Sequence, residues 1–206
     1  LSTHDTVRII TLLGGAPEEK ALSKKQQAEY KLSPDGYTLG LGREKAAAVI
    51  IYMMPGLACI YYGDEAGLCG FTDPDNRRTY PWGHEDLELM EYHRYMTGIH
   101  NRIPALKWGA LKPLVADYQV IAYGRIDGEY KCVTVLNNDQ TERHIEVPVW
   151  ELGIDDDTRL SRIMMSTEQG YNAGVLPASV RDGKLTLLMP CLLYTSDAAD
   201  DMQCGD

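Results

Sequence analysis

Three short motifs contain most of the residue types that could bind or process a polar substrate. They are THDTVR at 3–8, YYGDE at 61–65 and DPDNRRTYPW at 73–82. Carboxylate, imidazole and guanidinium groups can transfer protons and can form charge-assisted hydrogen bonds to hydroxyl groups. Each motif also has a structural interpretation, because Gly-Asp-Glu and Asp-Pro-Asp-Asn are typical of solvated turns. Taken singly, the motifs therefore predict no particular chemistry.

The segments between the first two motifs have clear helix and strand signals. Residues 43–54 are rich in helix formers and are followed by Pro55-Gly56, a stop signal, which predicts a helix that ends there. Residues 57–63 form a short apolar run closed by a glycine, which predicts a fully buried strand. Cys59 lies in this run and is expected to be a small core residue.

A long irregular segment separates this strand from a second helix. The irregular segment covers 64–86, whereas 87–103 has the spacing of an amphipathic helix with Pro104 just beyond it. The core face of this helix is expected to carry Leu87, Met90 and Tyr95. This order of elements, with a buried strand and a long loop between two helices, is an α/β pattern typical of a parallel sheet.

After about residue 108 the pattern changes to short alternating strands separated by turn signals. Four strands are predicted, at 118–126, 131–138, 143–149 and 184–190. Strands of this length and spacing favour a small antiparallel sandwich. The chain is therefore predicted to contain an α/β part at 1–107 and an all-β part at 108–190.

The final segment, CLLYTSDAADD at 191–201, follows neither pattern. It resembles the translation of a transposase adapter used in DNA library preparation, read through in frame. We therefore expect residues 191–206 to be a non-native tail outside the fold, with a disordered acidic tail as the alternative. Under the first interpretation the chain is a fragment truncated at both ends, which would account for Leu1 in place of a methionine.

The composition argues against several classes of protein. The formal net charge is −10, from 30 acidic and 20 basic residues, whereas a nucleic-acid-binding surface needs a basic footprint. No apolar run approaches the length that crosses a bilayer, and no signal-peptide pattern is visible. The five cysteines include no C-x-x-C pair, so neither a zinc site nor a disulfide framework is indicated.

In this order and spacing, the three motifs closely resemble the C-terminal part of the α-amylase family of glycoside hydrolases. The branch they resemble contains neopullulanases, cyclomaltodextrinases, maltogenic amylases and related α-glycosidases. Residues 56–82 match the family's eighth strand and the loop after it, and residues 3–8 match the block at the end of the seventh strand. The resemblance covers residues 1–190 and is strong over 1–108.

The resemblance implies a fold that is α/β plus all-β. In that family a (β/α)8 TIM barrel carries the active site, and a small antiparallel β-sandwich follows it. Residues 1–107 would then be the last part of the barrel, from the end of strand seven to helix eight. Catalytic groups of such barrels lie on loops at the C-terminal ends of the strands, where the resemblance places the first two motifs.

The resemblance also implies roles for individual residues. Asp5 would stabilise the transition state by hydrogen bonding to hydroxyls of the sugar at the cleavage site, and His4 would donate a hydrogen bond to the same sugar ring. Asp73 and Arg77 would hold the next sugar on the non-reducing side. The alternative for this second pair is a staple that only holds its loop. Arg8 could orient Asp5 or face solvent.

Other residues of the motifs are expected to be structural. Asp64 and Glu65 would shape the barrel rim, and Trp82 would pack under the loop, with a sugar platform as the alternative. The family's nucleophilic Asp and acid/base Glu lie on the fourth and fifth barrel strands, which are not in this chain. The chain alone is therefore expected to be inactive, with residues 1–107 poorly folded in isolation. No metal ligands and no definite cofactor are assigned. Calcium stays an open candidate, since no cluster of oxygen ligands in this chain forms a recognisable calcium loop.

The parent protein is accordingly expected to be a retaining glycoside hydrolase of α-1,4 glucosidic bonds, with α-1,6 bonds as a further candidate. Its expected substrate is an α-glucan such as maltodextrin, pullulan or cyclodextrin, and no nucleic-acid or membrane partner is expected. Oligomeric state stays open, and a cytoplasmic location is favoured over secretion. One alternative is an amylase-like protein that binds a glycan or a partner without cleavage. Another is a carbohydrate-binding role for 108–190, where no exposed aromatic row is evident.

Overall fold

The computed structural model of the protein divides into two compact units. The first contains Leu1–Ile51 and Leu57–Met96, and the second contains Tyr52–Gly56 and the chain from Thr97 onward. The structure describes residues 1–139, 141–156, 158–167 and 170–190, together with the backbone of 193–199.

Helices make up the regular structure before residue 110. The α-helices are α1 (Ile9–Leu13), α2 (Lys24–Glu29), α3 (Pro34–Met53), α4 (Leu87–Arg102) and α5 (Pro104–Trp108). Short 3₁₀ helices lie at Glu19–Ala21, Asp64–Ala66 and Asp75–Arg77. The last two carry parts of the second and third sequence motifs. In the part of the chain that the structure describes, no helix is both long and apolar enough to span a bilayer.

The helix predicted from residue 43 begins earlier, at Pro34. Ser33 caps its first turn, because its Oγ accepts a hydrogen bond from the Gly36 amide at 3.0 Å. Proline is favourable at this first position, where a helix has no use for the amide hydrogen. Glycines in the early turns are poor helix formers, which is why composition pointed to a later start. The helix ends at Met53, before the Pro-Gly stop, as predicted.

The strand predicted at 57–63 is not formed. Leu57 is 96% exposed and Cys59 is also exposed, so the expectation of a buried run with a cysteine in the core was wrong. A strand is stable only when a neighbouring strand pairs with its backbone groups. Residues 1–109, all of which the structure describes, contain no strand that could do so.

Helix α4 lies where the sequence predicted it, but a different face is buried. Its buried apolar side chains are Leu89, Tyr92, Met96 and Ile99. Leu87, which was expected in the core, is 70% exposed in the first turn, while Met90 and Tyr95 are only half-buried. Tyr92 can be fully buried because its hydroxyl donates to the Lys45 carbonyl at 2.7 Å.

Two antiparallel sheets form the second unit. The strands are β1 (Ala110–Ala116), β2 (Val120–Asp127), β3 (Tyr130–Asn137), β4 (Arg143–Val147), β5 (Leu160–Thr167), β6 (Gly170–Asn172), β7 (Leu176–Ala178), β8 (Val180–Arg181), β9 (Lys184–Met189) and β10 (Leu193–Ala199). The larger sheet has the order β1-β2-β3-β10-β5-β6, with β7 also paired to β5, and the smaller has the order β4-β9-β8. Apolar side chains of both sheets, such as Val133, Ile145 and Leu185, share one core. The predicted sandwich is therefore confirmed.

The four predicted strands correspond to β2, β3, β4 and β9. Strands β1 and β5, of seven and eight residues, were not predicted. The short strands β6, β7 and β8 were also not predicted, because two or three residues carry too little alternation to be recognised. Strand β10 lies in the segment that was expected outside the fold, yet its backbone pairs with β3 and with β5. The pairing of residues 193–199 is contrary to that expectation, while the origin of the segment stays a prediction. Residues 191–192 and 200–206 lie outside the described residues.

Candidate functional site

The four residues predicted to form the site contact one another in the first unit. His4 Nε2 lies 3.0 Å from Asp5 Oδ2, and Arg77 Nε lies 3.0 Å from Asp73 Oδ1. Arg77 Nη2 is 3.7 Å from Asp5 Oδ1, so Arg77 links the two pairs. The side chains of Asp5 and Asp73 are 71% and 58% exposed, which leaves both carboxylates accessible to a ligand.

Two threonines shape the turn that carries His4 and Asp5. The Thr3 amide donates to Thr6 Oγ1 at 2.8 Å, and the Thr6 amide donates to the Thr3 carbonyl at 3.3 Å. Thr3 Oγ1 in turn accepts a hydrogen bond from the Asp5 amide at 3.2 Å. Short hydroxyl side chains stabilise tight turns by satisfying backbone groups in this way. The motif therefore folds locally into a turn with its imidazole and carboxylate exposed.

Asp64 holds both ends of this turn from the interior. Its Oδ2 accepts a hydrogen bond from the Ser2 amide, and its Oδ1 accepts one from Arg8 Nη1, each at 3.0 Å. Both charged side chains of the Asp64–Arg8 pair are 0% exposed. A buried ion pair keeps a fixed geometry, because separation of the two groups would leave each buried charge uncompensated. Asp64 thus supports the site without facing a ligand, in line with the structural role expected of it.

Arg8 contradicts both interpretations offered from sequence, because it neither faces solvent nor orients Asp5 directly. Its guanidinium lies over the rings of Tyr61 and Tyr62, at 4.2 and 4.8 Å from their centroids. It also donates to the Tyr62 carbonyl at 2.5 Å and to the Asn76 carbonyl at 2.9 Å. Aromatic faces and carbonyl oxygens compensate for the buried positive charge. Arg8 therefore links the three motifs to one another.

The loop of the third motif is braced by Asp75 and Arg78. Asp75 Oδ2 accepts a hydrogen bond from the Phe71 amide at 2.7 Å, and its Oδ1 accepts one from Arg78 Nε at 2.8 Å. Asp75 is buried, whereas Asp73 and Arg77 are exposed. Asp75 thus holds the loop in place, which is the role that the structural alternative gave to Asp73. Asp73 also forms an ion pair, with Arg77.

Asn76 is a residue of the site that sequence analysis missed. Its Nδ2 donates to the carbonyl oxygens of His4 at 2.8 Å and Thr6 at 2.9 Å, and lies 3.4 Å from that of Thr3. The side chain is fully buried. An asparagine after Asp-Pro-Asp is an ordinary turn residue by composition, so the sequence contained no signal of this contact.

Trp82 does not pack under the loop, and that prediction was wrong. It is 79% exposed, and its ring lies against Tyr80 with 4.6 Å between the centroids. The backbone turns here through hydrogen bonds from the Trp82 amide to the Tyr80 carbonyl and from the His84 amide to the Pro81 carbonyl. The ring is therefore braced by a neighbour in its own turn. The alternative role as a sugar platform stays a prediction.

The exposed cluster of His4, Asp5, Asp73 and Arg77 offers hydrogen-bond acceptors and donors side by side. Two carboxylates, a guanidinium and an imidazole form the charge-assisted hydrogen bonds that suit vicinal hydroxyl groups. In the described part of the chain, no three His, Cys, Asp or Glu side chains are grouped so as to hold a metal ion.

Known structures share this architecture. An Anoxybacillus α-amylase aligns with 98% of this chain at a TM-score of 0.72 and 20% identity, over 38% of its own length. A cyclomaltodextrinase aligns with 97% of the chain at a TM-score of 0.68 and 24% identity, over 29% of its length. The fold is therefore that of the C-terminal portion of an α-amylase-type (β/α)8 barrel with its following β-sandwich.

Sequence relatives identify the particular family. The chain is 32% identical, over 98% of its length, to an amylopullulanase of Thermoanaerobacterium thermosulfurigenes. It is 28% identical, over 72% of its length, to a cyclomaltodextrinase of Geobacillus thermopakistaniensis. It spans 10% and 22% of these two proteins, and no protein-family model matches it. The chain belongs to the α-amylase family and corresponds to a segment of its members.

Proposed function

We propose that the protein containing this chain is a retaining glycoside hydrolase of α-1,4 glucosidic bonds, with α-1,6 bonds as a further candidate. Its proposed substrates are maltodextrins, pullulan or cyclodextrins. Relatives named amylopullulanase, cyclomaltodextrinase and neopullulanase support an α-glucan as the substrate class. The observation that carries the proposal is the exposed cluster in which Arg77 joins the His4–Asp5 pair to Asp73.

In this proposal Asp5 binds hydroxyls of the sugar at the cleavage site, and His4 donates to the same ring. Hydrogen bonds of this kind strengthen as the oxocarbenium-like transition state develops. They are effective when the group is held in place before the reaction starts, because no reorganisation is then needed. The anchoring of the turn through Asp64 and Asn76 supports such preorganisation.

Asp73 and Arg77 would bind the next sugar on the non-reducing side. The Arg77 guanidinium lies between the two carboxylates, at 3.7 Å from Asp5 Oδ1 and 3.0 Å from Asp73 Oδ1. Its Nε also donates to the His4 carbonyl at 3.3 Å. Ion pairs this exposed contribute little free energy, since solvent screens them. A sugar diol could therefore replace part of these contacts without a large penalty.

The nucleophile and the acid/base are proposed to lie outside these 206 residues. Retaining glycosidases need two carboxyl groups that flank the scissile bond, and the family places them on earlier barrel strands. The 206-residue chain should then release no reducing sugar from maltodextrin, pullulan or cyclodextrin, whereas the full-length protein should do so.

The substitution Asp5→Asn in the full-length protein tests the role of Asp5. We expect kcat to fall on the order of 100-fold or more, as when one transition-state hydrogen bond is lost. KM should change by less than about threefold, because the contact is made best in the transition state. The matched control is Asp35→Asn, which makes the same charge change at an exposed position of α3.

Two outcomes would overturn parts of the proposal. An Asp5→Asn enzyme with unchanged kcat would remove Asp5 from the catalytic machinery. A full-length protein that binds maltodextrin but does not cleave it would support the alternative of a non-catalytic glycan-binding protein.

A further inference from the structure

The backbone around Asp5, rather than its side chain, determines where the carboxylate points. The Asp5 side chain is largely exposed and pairs with two side chains that are themselves exposed, His4 and Arg77. Such contacts are weak and exchange readily with solvent. The position of the carboxylate therefore depends on how firmly the turn at residues 3–6 is held.

The carboxamide of Asn76 lies beneath this turn. One terminal atom is surrounded by the carbonyl oxygens of Thr3, His4 and Thr6. Three acceptors around one atom identify that atom as the amide nitrogen, because an oxygen there would be repelled by all three. The other terminal atom, Oδ1, is buried and has no hydrogen-bond partner among the described residues. The side chain thus directs its donors to the turn although its acceptor stays unsatisfied, which is unfavourable.

The backbone of Asn76 is fixed as well, so its side chain is a firm support. The Asn76 carbonyl accepts a hydrogen bond from Arg8 Nε at 2.9 Å, and Arg8 is held by Asp64. The ends of the turn are attached to Asp64, and its middle is attached to Asn76. Residues of the second and third motifs therefore hold the turn of the first motif in position through hydrogen bonds.

We propose that Asn76 is the positioning residue that sets the orientation of Asp5 for glucan cleavage. The inference rests on the proposed function and deepens it, since it names a residue that acts on the site without touching the substrate. A shift of about 1 Å in a catalytic group can reduce a rate on the order of 100-fold. Loss of the Asn76 donors would allow such a shift.

The chain offers a matched control in Gln27. This residue is also a buried amide of the first unit, and its Nε2 donates to the Glu19 carbonyl at 3.0 Å and the Leu22 carbonyl at 3.1 Å. Its Oε1 is likewise buried, with no hydrogen-bond partner in the part of the chain that the structure describes. Gln27 thus supports a different loop with the same chemistry.

The first test compares Asn76→Asp with Gln27→Glu in the full-length protein. Each change replaces an amide donor by a carboxylate oxygen that faces carbonyl groups. Asn76→Asp should lower kcat on the order of 100-fold with little change in KM. Gln27→Glu should leave kcat within about twofold, as expected for a residue away from the site. If Asn76→Asp does not fold, Asn76→Ala removes the donors without adding charge and should lower kcat about tenfold.

The second test uses hydrogen exchange in the full-length protein and needs no activity. The Thr6 amide donates to the Thr3 carbonyl, and the Leu22 amide donates to the Glu19 carbonyl. Substitution of Asn76 should speed exchange of the Thr6 amide at least about tenfold and leave the Leu22 amide unchanged. Substitution of Gln27 should have the reverse pattern.

These outcomes separate the inference from the proposed function. If both amides respond equally to both substitutions, or if Asn76→Asp retains the wild-type kcat, Asn76 is not a positioning residue. If the crossed exchange pattern holds but the wild-type protein cleaves no α-glucan, the proposed function fails while the support of the turn by Asn76 stands.

Discussion

At the scale of single residues, the groups that face solvent and the groups that hold them are of the same chemical types. Asp5 and Arg77 are exposed and available to a ligand, whereas Asp64 and Arg8 form a buried ion pair behind them. Charged side chains are rarely fully buried unless they are paired. The buried pair therefore indicates that the geometry of this turn is maintained at a substantial desolvation penalty.

Glu44 is a buried carboxyl group outside this network, and it should make stability depend on pH. It is 0% exposed, and neither carboxyl oxygen has a hydrogen-bond partner within the described ranges of the chain. Burial raises the pKa of Glu44 well above its ordinary value of 4.5, and the charge of Asp64 raises it further. The folded state thus binds this proton more tightly than the unfolded state. Its contribution to stability is present at low pH and is lost as pH rises through the folded pKa.

We predict that Glu44→Gln is more stable than the wild type at pH 8, and that the difference shrinks as pH falls toward 4.5. Above 4.5 the wild type should lose about 1.4 kcal/mol per pH unit from this group until its folded pKa is reached. Urea unfolding at several pH values measures the difference.

The control for Glu44→Gln is Glu18→Gln at an exposed position, which should change stability by less than about 0.5 kcal/mol. A difference between wild type and Glu44→Gln that does not vary with pH would show that burial of Glu44 has no effect on its ionisation.

At the scale of elements, the first turns of α3 pack closely against the end of α1. A Cβ at Gly40 would lie 2.6 Å from the Ile10 carbonyl oxygen, and one at Gly36 would lie 2.8 Å from the Gly14 carbonyl oxygen. These distances are too short for any side chain. Glycine in a helix is unfavourable by about 1 kcal/mol relative to alanine, so here close approach of the two backbones outweighs helix propensity.

Gly40→Ala should therefore destabilise the protein by about 1–3 kcal/mol, as overpacking does, despite the better helix propensity of alanine. The matched control is Gly98→Ala in α4, where the single described side-chain atom within 4 Å of a Cβ would be Arg102 Nη2, at 3.8 Å. That substitution should stabilise by about 0.5–1 kcal/mol. Urea unfolding of both variants gives the signs, and a shift in the same direction for both would contradict the packing argument.

At the scale of the whole molecule, the larger sheet depends on a strand from the far end of the chain. Strand β10 pairs antiparallel with β3, where Leu193 is opposite Asn137, and with β5, where Ala199 is opposite Leu160. Without it, β3 and β5 would each present an open edge of unpaired backbone groups. The resemblance of this segment to an adapter translation and its place in the sheet thus lead to opposite expectations.

Deletion of residues 191–206 decides between them. From the strand pairing we expect the 1–190 chain to lose at least about 3 kcal/mol of stability, because several ladder hydrogen bonds are removed. A 1–199 chain, which keeps β10, should unfold like the whole chain. Urea unfolding followed by far-ultraviolet circular dichroism measures both. A 1–190 chain of unchanged stability would place the segment outside the fold.

Local signals in the sequence were sufficient to predict several helices and strands of the fold. The Pro-Gly stop of α3, the position of α4 and four of the sandwich strands follow from periodicity and turn residues, which act over a few neighbouring positions. The order and spacing of the three motifs were also sufficient to recognise the α-amylase family. They identified the His4, Asp5, Asp73 and Arg77 side chains that the structure brings into contact.

Only the tertiary structure decided which partners these residues have. The run at 57–63 was apolar enough for a strand, but a strand needs a pairing partner, and residues 1–109 contain none. Arg8 and Asn76 looked like ordinary surface and turn residues, yet both are fully buried. Their roles depend on carbonyl and carboxylate groups more than fifty positions away in the chain. A sequence pattern records the type of a residue, whereas burial and hydrogen bonding depend on groups that only folding brings near it.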